Sequence, residues 1–78
     1  MPKIEIYTLP TCPYCRALKA FLDDNKISYI DYDVSTDSAK ADEMVKKSDQ
    51  MGTPVLDIDG KIIVGFDRQA ISEVLGIK

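Results

Sequence analysis

The sequence contains no histidine and only two cysteines. A structural zinc site takes four ligands, drawn mostly from these two residue types, so the chain's own thiols and imidazoles are too few to build one. Two cysteines also exclude a multi-bridge secreted scaffold. No run approaches the roughly 18 apolar residues of a membrane-spanning helix. Met1–Pro2–Lys3 leads into alternating residues rather than the continuous apolar segment of an export signal. Basic charge is neither in excess nor clustered, with 10 Lys and Arg against 13 Asp and Glu and a net charge of −3. A basic stripe able to follow a phosphate backbone is therefore missing, which disfavours nucleic-acid binding.

What is present is a hydrophobic fraction of 45% in 78 residues, which favours folding over disorder. That length suits one domain, residues 1–78, and is too short for a second independent core. A domain of this size buries roughly 60% of its unfolded surface, so a few well-placed apolar clusters must hold it. A small, cysteine-poor chain without an export signal fits the cytoplasm, where a disulfide is more often catalytic or redox-responsive than structural. The expectation is a cytoplasmic monomer with neither membrane nor nucleic-acid partners.

Local patterns predict the elements. Ile4 and Ile6 share one face of a strand over Lys3–Thr8, which Pro10 interrupts. Pro13 fits the first position of a helix, where its missing N–H costs nothing, and Ala17, Leu18, Phe21 and Leu22 give that helix an apolar face. Asp23–Asp24–Asn25 marks its exit. A second strand is expected over about Ser28–Val34, its alternating acids marking an edge or a partly exposed face. Thr36 or Asp37 caps the next helix, on which Ala41, Met44, Val45 and Ser48 follow one side. Its charge run, with Asp42 and Glu43 four residues before Lys46 and Lys47, reads as a solvated face rather than a ligand site. Pro54–Asp59 and Lys61–Val64 form a hairpin reversed at Asp59–Gly60. Asp67 caps a last helix carrying Ala70, Ile71, Val74 and Leu75 inward, and Gly76 stops it. The order strand–helix–strand–helix–strand–strand–helix makes an α/β domain. Its four-stranded mixed sheet has a parallel first pair, an antiparallel hairpin and three flanking helices.

Both cysteines fall in one segment, Cys12–Pro13–Tyr14–Cys15, at the passage from strand to helix. Free N–H groups and the dipole at a helix start favour a thiolate over a thiol. Cys12 is then the nucleophile and Cys15, one turn on, the resolving thiol of a thiol–disulfide exchange. A purely structural disulfide is a weak alternative, because closing so short a loop contributes only about 2 kcal/mol by chain entropy. Metal binding or a structural module stay as the competing readings.

Cys12–Pro13–Tyr14–Cys15, followed by Gly52–Thr53–Pro54 and Gly65–Phe66–Asp67, resembles the glutaredoxins, in particular the small glutaredoxin-like proteins of the thioredoxin-fold superfamily. The resemblance spans essentially the whole chain. It implies a thioredoxin fold and the reduction of protein disulfides or glutathione mixed disulfides, with Cys12 attacking and Cys15 resolving. It also implies a cis Pro54 and a surface for glutathione or an extended peptide formed by Tyr14, Thr53, Pro54, Gly65, Phe66 and Asp67. No tightly bound cofactor is implied; glutathione is a candidate reductant. Three departures bear on glutathione recognition. Gly52 stands where the family pattern Thr–Val–Pro begins with threonine, and Leu9 stands where a basic residue is common. Val64–Gly65–Phe66–Asp67–Arg68 keeps only the second Gly and first Asp of Gly–Gly–x–Asp–Asp. The Gly65–Phe66 pair is similar to the thioredoxin-reductase-linked hydrogen donors of ribonucleotide reductase, which makes a reductase-type flavoprotein the alternative electron source. Some relatives hold an iron–sulfur cluster with glutathione, so a cluster carrier is a further alternative.

Supporting residues have plainer readings beside these. By its residues alone Pro54 starts a strand. Phe66 serves recognition or packing, Gly65 a turn, and Asp67 a helix cap. Arg68 is a solvated charge or an attractor of acidic substrate groups. Tyr7, Tyr29 and Tyr32 are expected to pack on strands, and Met44 and Met51 on a helix face or loop.

Overall fold

Ile4 and Ile6 do share a buried face, on a strand β1 (Ile4–Thr8) that runs through the middle of the sheet. The computed structural model describes residues 3–77. Met1 and Pro2, which precede the alternating residues in the stretch read above as lacking an export signal, and Lys78 lie outside the described residues. After β1 come α1 (Pro13–Asp24), β2 (Ile30–Asp33), α2 (Ser38–Ser48), β3 (Val55–Ile58), β4 (Lys61–Val64) and α3 (Arg68–Leu75). The sheet order is β2-β1-β3-β4, with β1 parallel to β2 and antiparallel to β3, and β3 antiparallel to β4. This is the expected four-stranded mixed sheet with three helices.

Strand alternation divides the core between the two faces of the sheet. Ile4 and Ile6 of β1, with Leu56 and Ile58 of β3 and Ile63 of β4, meet Leu18 and Leu22 of α1 and Ile71 of α3. Tyr7 and Val55 on the opposite face meet Met44 of α2, with Tyr32, Val34, Val45 and Ile62 around them. Each such aliphatic side chain, removed from water, stabilises the fold by roughly 1.5–3 kcal/mol. β2 is an edge, as its acids suggest, and Ile30 is left 44% exposed.

The helix ends follow the residues read for them. Asp37 rather than Thr36 caps α2, accepting from the Lys40 N–H at 3.1 Å, and Asp67 caps α3, accepting from Ala70 at 3.1 Å. Gly76 ends α3 with φ 71°. At the hairpin, Asp59 and Gly60 both take positive φ, 50° and 93°, the conformation a two-residue reversal demands.

Two expectations are corrected. The face of α2 read as solvated is so only at Asp42 and Lys46. Lys47 extends across the sheet, where its ammonium donates to the Tyr7 hydroxyl at 2.8 Å and to Asp57 at 2.6 Å, and it also pairs with Glu43 at 3.2 Å. The long lysine stem lets a helix-surface position reach a carboxylate on the covered sheet face. Met51, expected to pack, is 80% exposed on the loop between α2 and β3.

Candidate functional site

The last residue of β1, Thr8, is held by its hydroxyl, which donates to Asp31 at 2.6 Å, while Lys19 of α1 pairs with the same carboxylate. The turn after Thr8 closes with the Cys12 N–H donating to the Leu9 carbonyl at 3.2 Å. Cys12 then has extended backbone (φ −86°, ψ 114°) and stands as the N-cap of α1, with Pro13 in the first turn. Its sulfur takes the role a serine or aspartate oxygen has elsewhere, accepting from the Cys15 N–H at 3.3 Å. The local fold thus aims an unpaired helix donor at the sulfur. Both cysteines are free; Cys12 is half-buried and Cys15 is buried.

On the other side of Cys12 lies the segment entering β3. The Thr53–Pro54 peptide is cis, as the family resemblance implies and residue statistics alone would not. The Cys12 S–H points to the Thr53 carbonyl at 3.9 Å. The Pro54 carbonyl accepts from the Gly65 N–H at 2.7 Å, which ties the β4–α3 connection to the same segment. Thr53 is therefore brought beside Cys12, and Gly65 is tied to Pro54, the next residue along. Tyr14 is 66% exposed on the first turn of α1. Phe66 turns toward α1 and packs edge-on against Phe21, with ring centroids 5.8 Å apart. Asp67 uses a carboxylate oxygen to cap α3, and the Arg68 guanidinium lies 5.4 Å from the Phe21 ring centroid.

The two thiols are driven apart electrostatically. Partial burial pushes Cys12 upward, but hydrogen bonds from the Cys15 thiol and N–H, from the Thr53 side chain and from the Tyr14 N–H outweigh it, so its pKa is lowered. For Cys15 burial is also the largest influence. The hydrogen bond it gives to Cys12 adds to this, overcoming the Leu9 N–H and Thr53, and its pKa is raised. A more accessible sulfur that gives up its proton more readily, beside a buried one that holds its proton, is the distribution an attacking and a resolving thiol require. With limiting iodoacetamide, Cys12 should be alkylated first. Its rate should reach half-maximum below the free-thiol pKa of about 8.5, and peptide mass spectrometry should find Cys15 labelled only after unfolding or at higher pH. Labelling of Cys15 first would contradict this assignment.

Sequence reasoning missed three contributors. Leu9 matters through its backbone N–H, which no side-chain pattern encodes. Lys19 lies four residues after Cys15, a same-face helical spacing that offered a signal; its hydrogen bond to Asp31, the carboxylate that also holds Thr8, raises its pKa. Gln50, on the loop before Thr53, bonds to both the N–H and the carbonyl of Gly52.

Comparison with known proteins gives a consistent result. A glutaredoxin family model matches residues 4–63. A glutaredoxin-like 8.6 kDa protein in the rubredoxin operon of Clostridium pasteurianum is 42% identical, over 92% of this chain and 96% of its own length. Glutaredoxin 3 of Escherichia coli K12 is 39% identical, over 86% of this chain and 81% of its own. The crystal structure of a mutant thioredoxin-like protein superposes with a TM-score of 0.92 at 36% identity, covering 100% of both chains.

Proposed function

Because this chain belongs to the glutaredoxin family, we propose that it is a dithiol–disulfide oxidoreductase acting on protein disulfides, and on glutathione mixed disulfides, in a reducing compartment such as the cytoplasm. The Cys12 thiolate attacks one sulfur of the substrate disulfide. A Cys12–substrate bond forms, the substrate S–S bond breaks, and the departing thiolate takes up a proton. Cys15 then gives up its proton and attacks the Cys12 sulfur, which releases the second substrate thiol and leaves a Cys12–Cys15 disulfide. Two electrons pass from protein to substrate, and a dithiol-equivalent donor restores the protein. Glutathione, or a thioredoxin-reductase-type flavoprotein, fills that role.

The observation that carries this reading is the Cys12 sulfur itself, serving as the cap of α1 at 3.3 Å from the Cys15 N–H and facing Thr53. Thr53, Pro54 and Gly65 then form the wall along which a substrate backbone lies, with the exposed Tyr14 as a further contact, while Phe66 packs on Phe21 and Asp67 caps α3. Gly52, Leu9 and Arg68 weaken the fit to glutathione, since Arg68 replaces an acid that would pair with its ammonium.

Supplying the oxidised protein with glutathione plus glutathione reductase, or with thioredoxin reductase, and following NADPH oxidation with a protein disulfide present tests the donor. Turnover is expected with glutathione, and Arg68→Asp should increase it severalfold while leaving Cys12 alkylation unchanged. Turnover with thioredoxin reductase alone would reject glutathione as the main donor.

A further inference from the structure

The segment that carries Thr53 to Cys12 has little of its own to hold it. It leaves α2 at Asp49, a left-handed C-cap with φ 59°, then passes through the exposed Met51 and Gly52 before the cis peptide. The Gln50 side chain spans this gap. The Gln50 Oε1 accepts from the Gly52 N–H at 2.6 Å, and the Gln50 Nε2 donates to the Gly52 carbonyl at 3.0 Å. The same Nε2 donates to the Ser48 hydroxyl at 3.2 Å, and Ser48 Oγ lies 2.7 Å from the Met44 carbonyl and 3.0 Å from the Gln50 carbonyl. A carboxamide carries a carbonyl acceptor and an NH2 with two donors; the carbonyl and one N–H pair with Gly52 as a neighbouring strand's peptide groups would, and the second N–H goes to Ser48.

Alternation gives this pairing its consequence. One planar carboxamide reaches both polar groups of Gly52 only if they point to the same side, as in extended chain. The polar groups of the next residue along an extended chain then point to the opposite side. That residue is Thr53, whose carbonyl faces Cys12. The φ of Gly52 lies outside the left-handed region, so its backbone admits any residue. What bars a side chain there is the brace itself, because an added Cβ would sit 2.7 Å from Gln50 Oε1. Gln50 and Gly52 are thus a matched pair.

The geometry points to Gln50 as a positioning residue for substrate recognition: by pairing with the far edge of Gly52 it fixes the Thr53 backbone toward the Cys12 sulfur, ready to receive an extended peptide that carries the disulfide. This rests on the disulfide-reductase reading. Substrates that lie along Thr53 depend on the brace, whereas a small disulfide that reaches only the Cys12 sulfur does not.

The test uses the full chain, reduced beforehand, in single turnover with two probes: a short peptide bearing an intramolecular disulfide, and a small aromatic disulfide. Gln50→Ala should raise the half-saturating peptide concentration by about fivefold to tenfold, the worth of two exposed hydrogen bonds, and leave the rate with the aromatic disulfide within about twofold. Gly52→Ala should give the same result by expelling the carboxamide, and the double variant should be no worse than either single one, since both remove one interaction. An unchanged half-saturation in Q50A, an equal loss with both probes, or effects of Q50A and G52A that multiply would each overturn the assignment. If the wild type reduces neither probe, the reductase reading itself fails. The brace is then judged by amide relaxation at Thr53, where greater backbone mobility in Q50A supports it and unchanged mobility refutes it.

Discussion

A Cys12→Ser protein should lose disulfide reduction by at least about a thousandfold, to the background of the assay, because a serine hydroxyl neither ionises near neutral pH nor forms a bond that Cys15 can resolve. The fold should survive the change. Cys12 caps α1 through a hydrogen bond from the Cys15 N–H, and serine is among the preferred residues for that role. Thermal unfolding measured beside NADPH-coupled turnover should therefore show a Tm at or above that of the wild type with the activity gone. Residual turnover above about one percent of wild type would exclude Cys12 as the sole attacking thiol.

Replacing Lys47 by methionine should give the largest stability loss of any single change outside the apolar core. The lysine ammonium is shared among Asp57, Tyr7 and Glu43, and the Asp57 side chain is only 12% exposed. Methionine fills the space of the stem but leaves a covered carboxylate without its cation. Breaking a buried pair in this way is costly, and allowing for the partial exposure of Lys47 the expected loss is about 2–3 kcal/mol, or a Tm lower by about 10–20 °C. The pH dependence should change as well. Burial alone would raise Asp57, but Lys47 and the Gly60 N–H outweigh it and its pKa is lowered. Lys40, with further help from Lys47, holds Glu43 at about 2. Stability from both groups is fully present above the unfolded carboxylate range of about 4 and is lost as pH falls through the lower folded values. Denaturation profiles between pH 5 and 2, as about the useful range, should fall steeply in the wild type and less steeply in K47M. An unchanged Tm in K47M would show that the cluster is solvated and contributes nothing.

Much of this architecture is legible in the sequence because its signals are local. Cys12 followed by Pro13, the Asp59–Gly60 reversal, Asp67 and Gly76 each act within a turn of the residue that encodes them, and each element lies within a few residues of its expected position. The face of Ile4 and Ile6 needed only strand alternation. What the sequence hid depends on which strands become neighbours. Lys47 looks like one member of an ordinary helical charge run until the order β2-β1-β3-β4 sets Asp57 and Tyr7 beneath it. The parallel β1–β2 pair is an expected one, but the Thr8–Asp31 bond also depends on the register of that pair, which sets Thr8 opposite Asp33 and which no local pattern encodes. At the site, the cysteines are visible from their spacing, and the cis Pro54 only from the family resemblance. The donors that act on the sulfurs from Leu9 and Tyr14 are backbone groups, which carry no residue signature.

The most direct measurement of the proposed chemistry follows the two sulfurs through a single turnover. Reduced protein is mixed with one equivalent of a peptide disulfide, quenched with acid and alkylating agent, and mapped by mass spectrometry. The wild type should become lighter by two hydrogens, with a Cys12–Cys15 bond and fully reduced peptide. The Cys15→Ser variant should stop at a mixed disulfide between Cys12 and the peptide. A mixed disulfide carried on Cys15, or full reduction of the peptide without any bond between Cys12 and Cys15, would contradict the assignment of the attacking and resolving thiols.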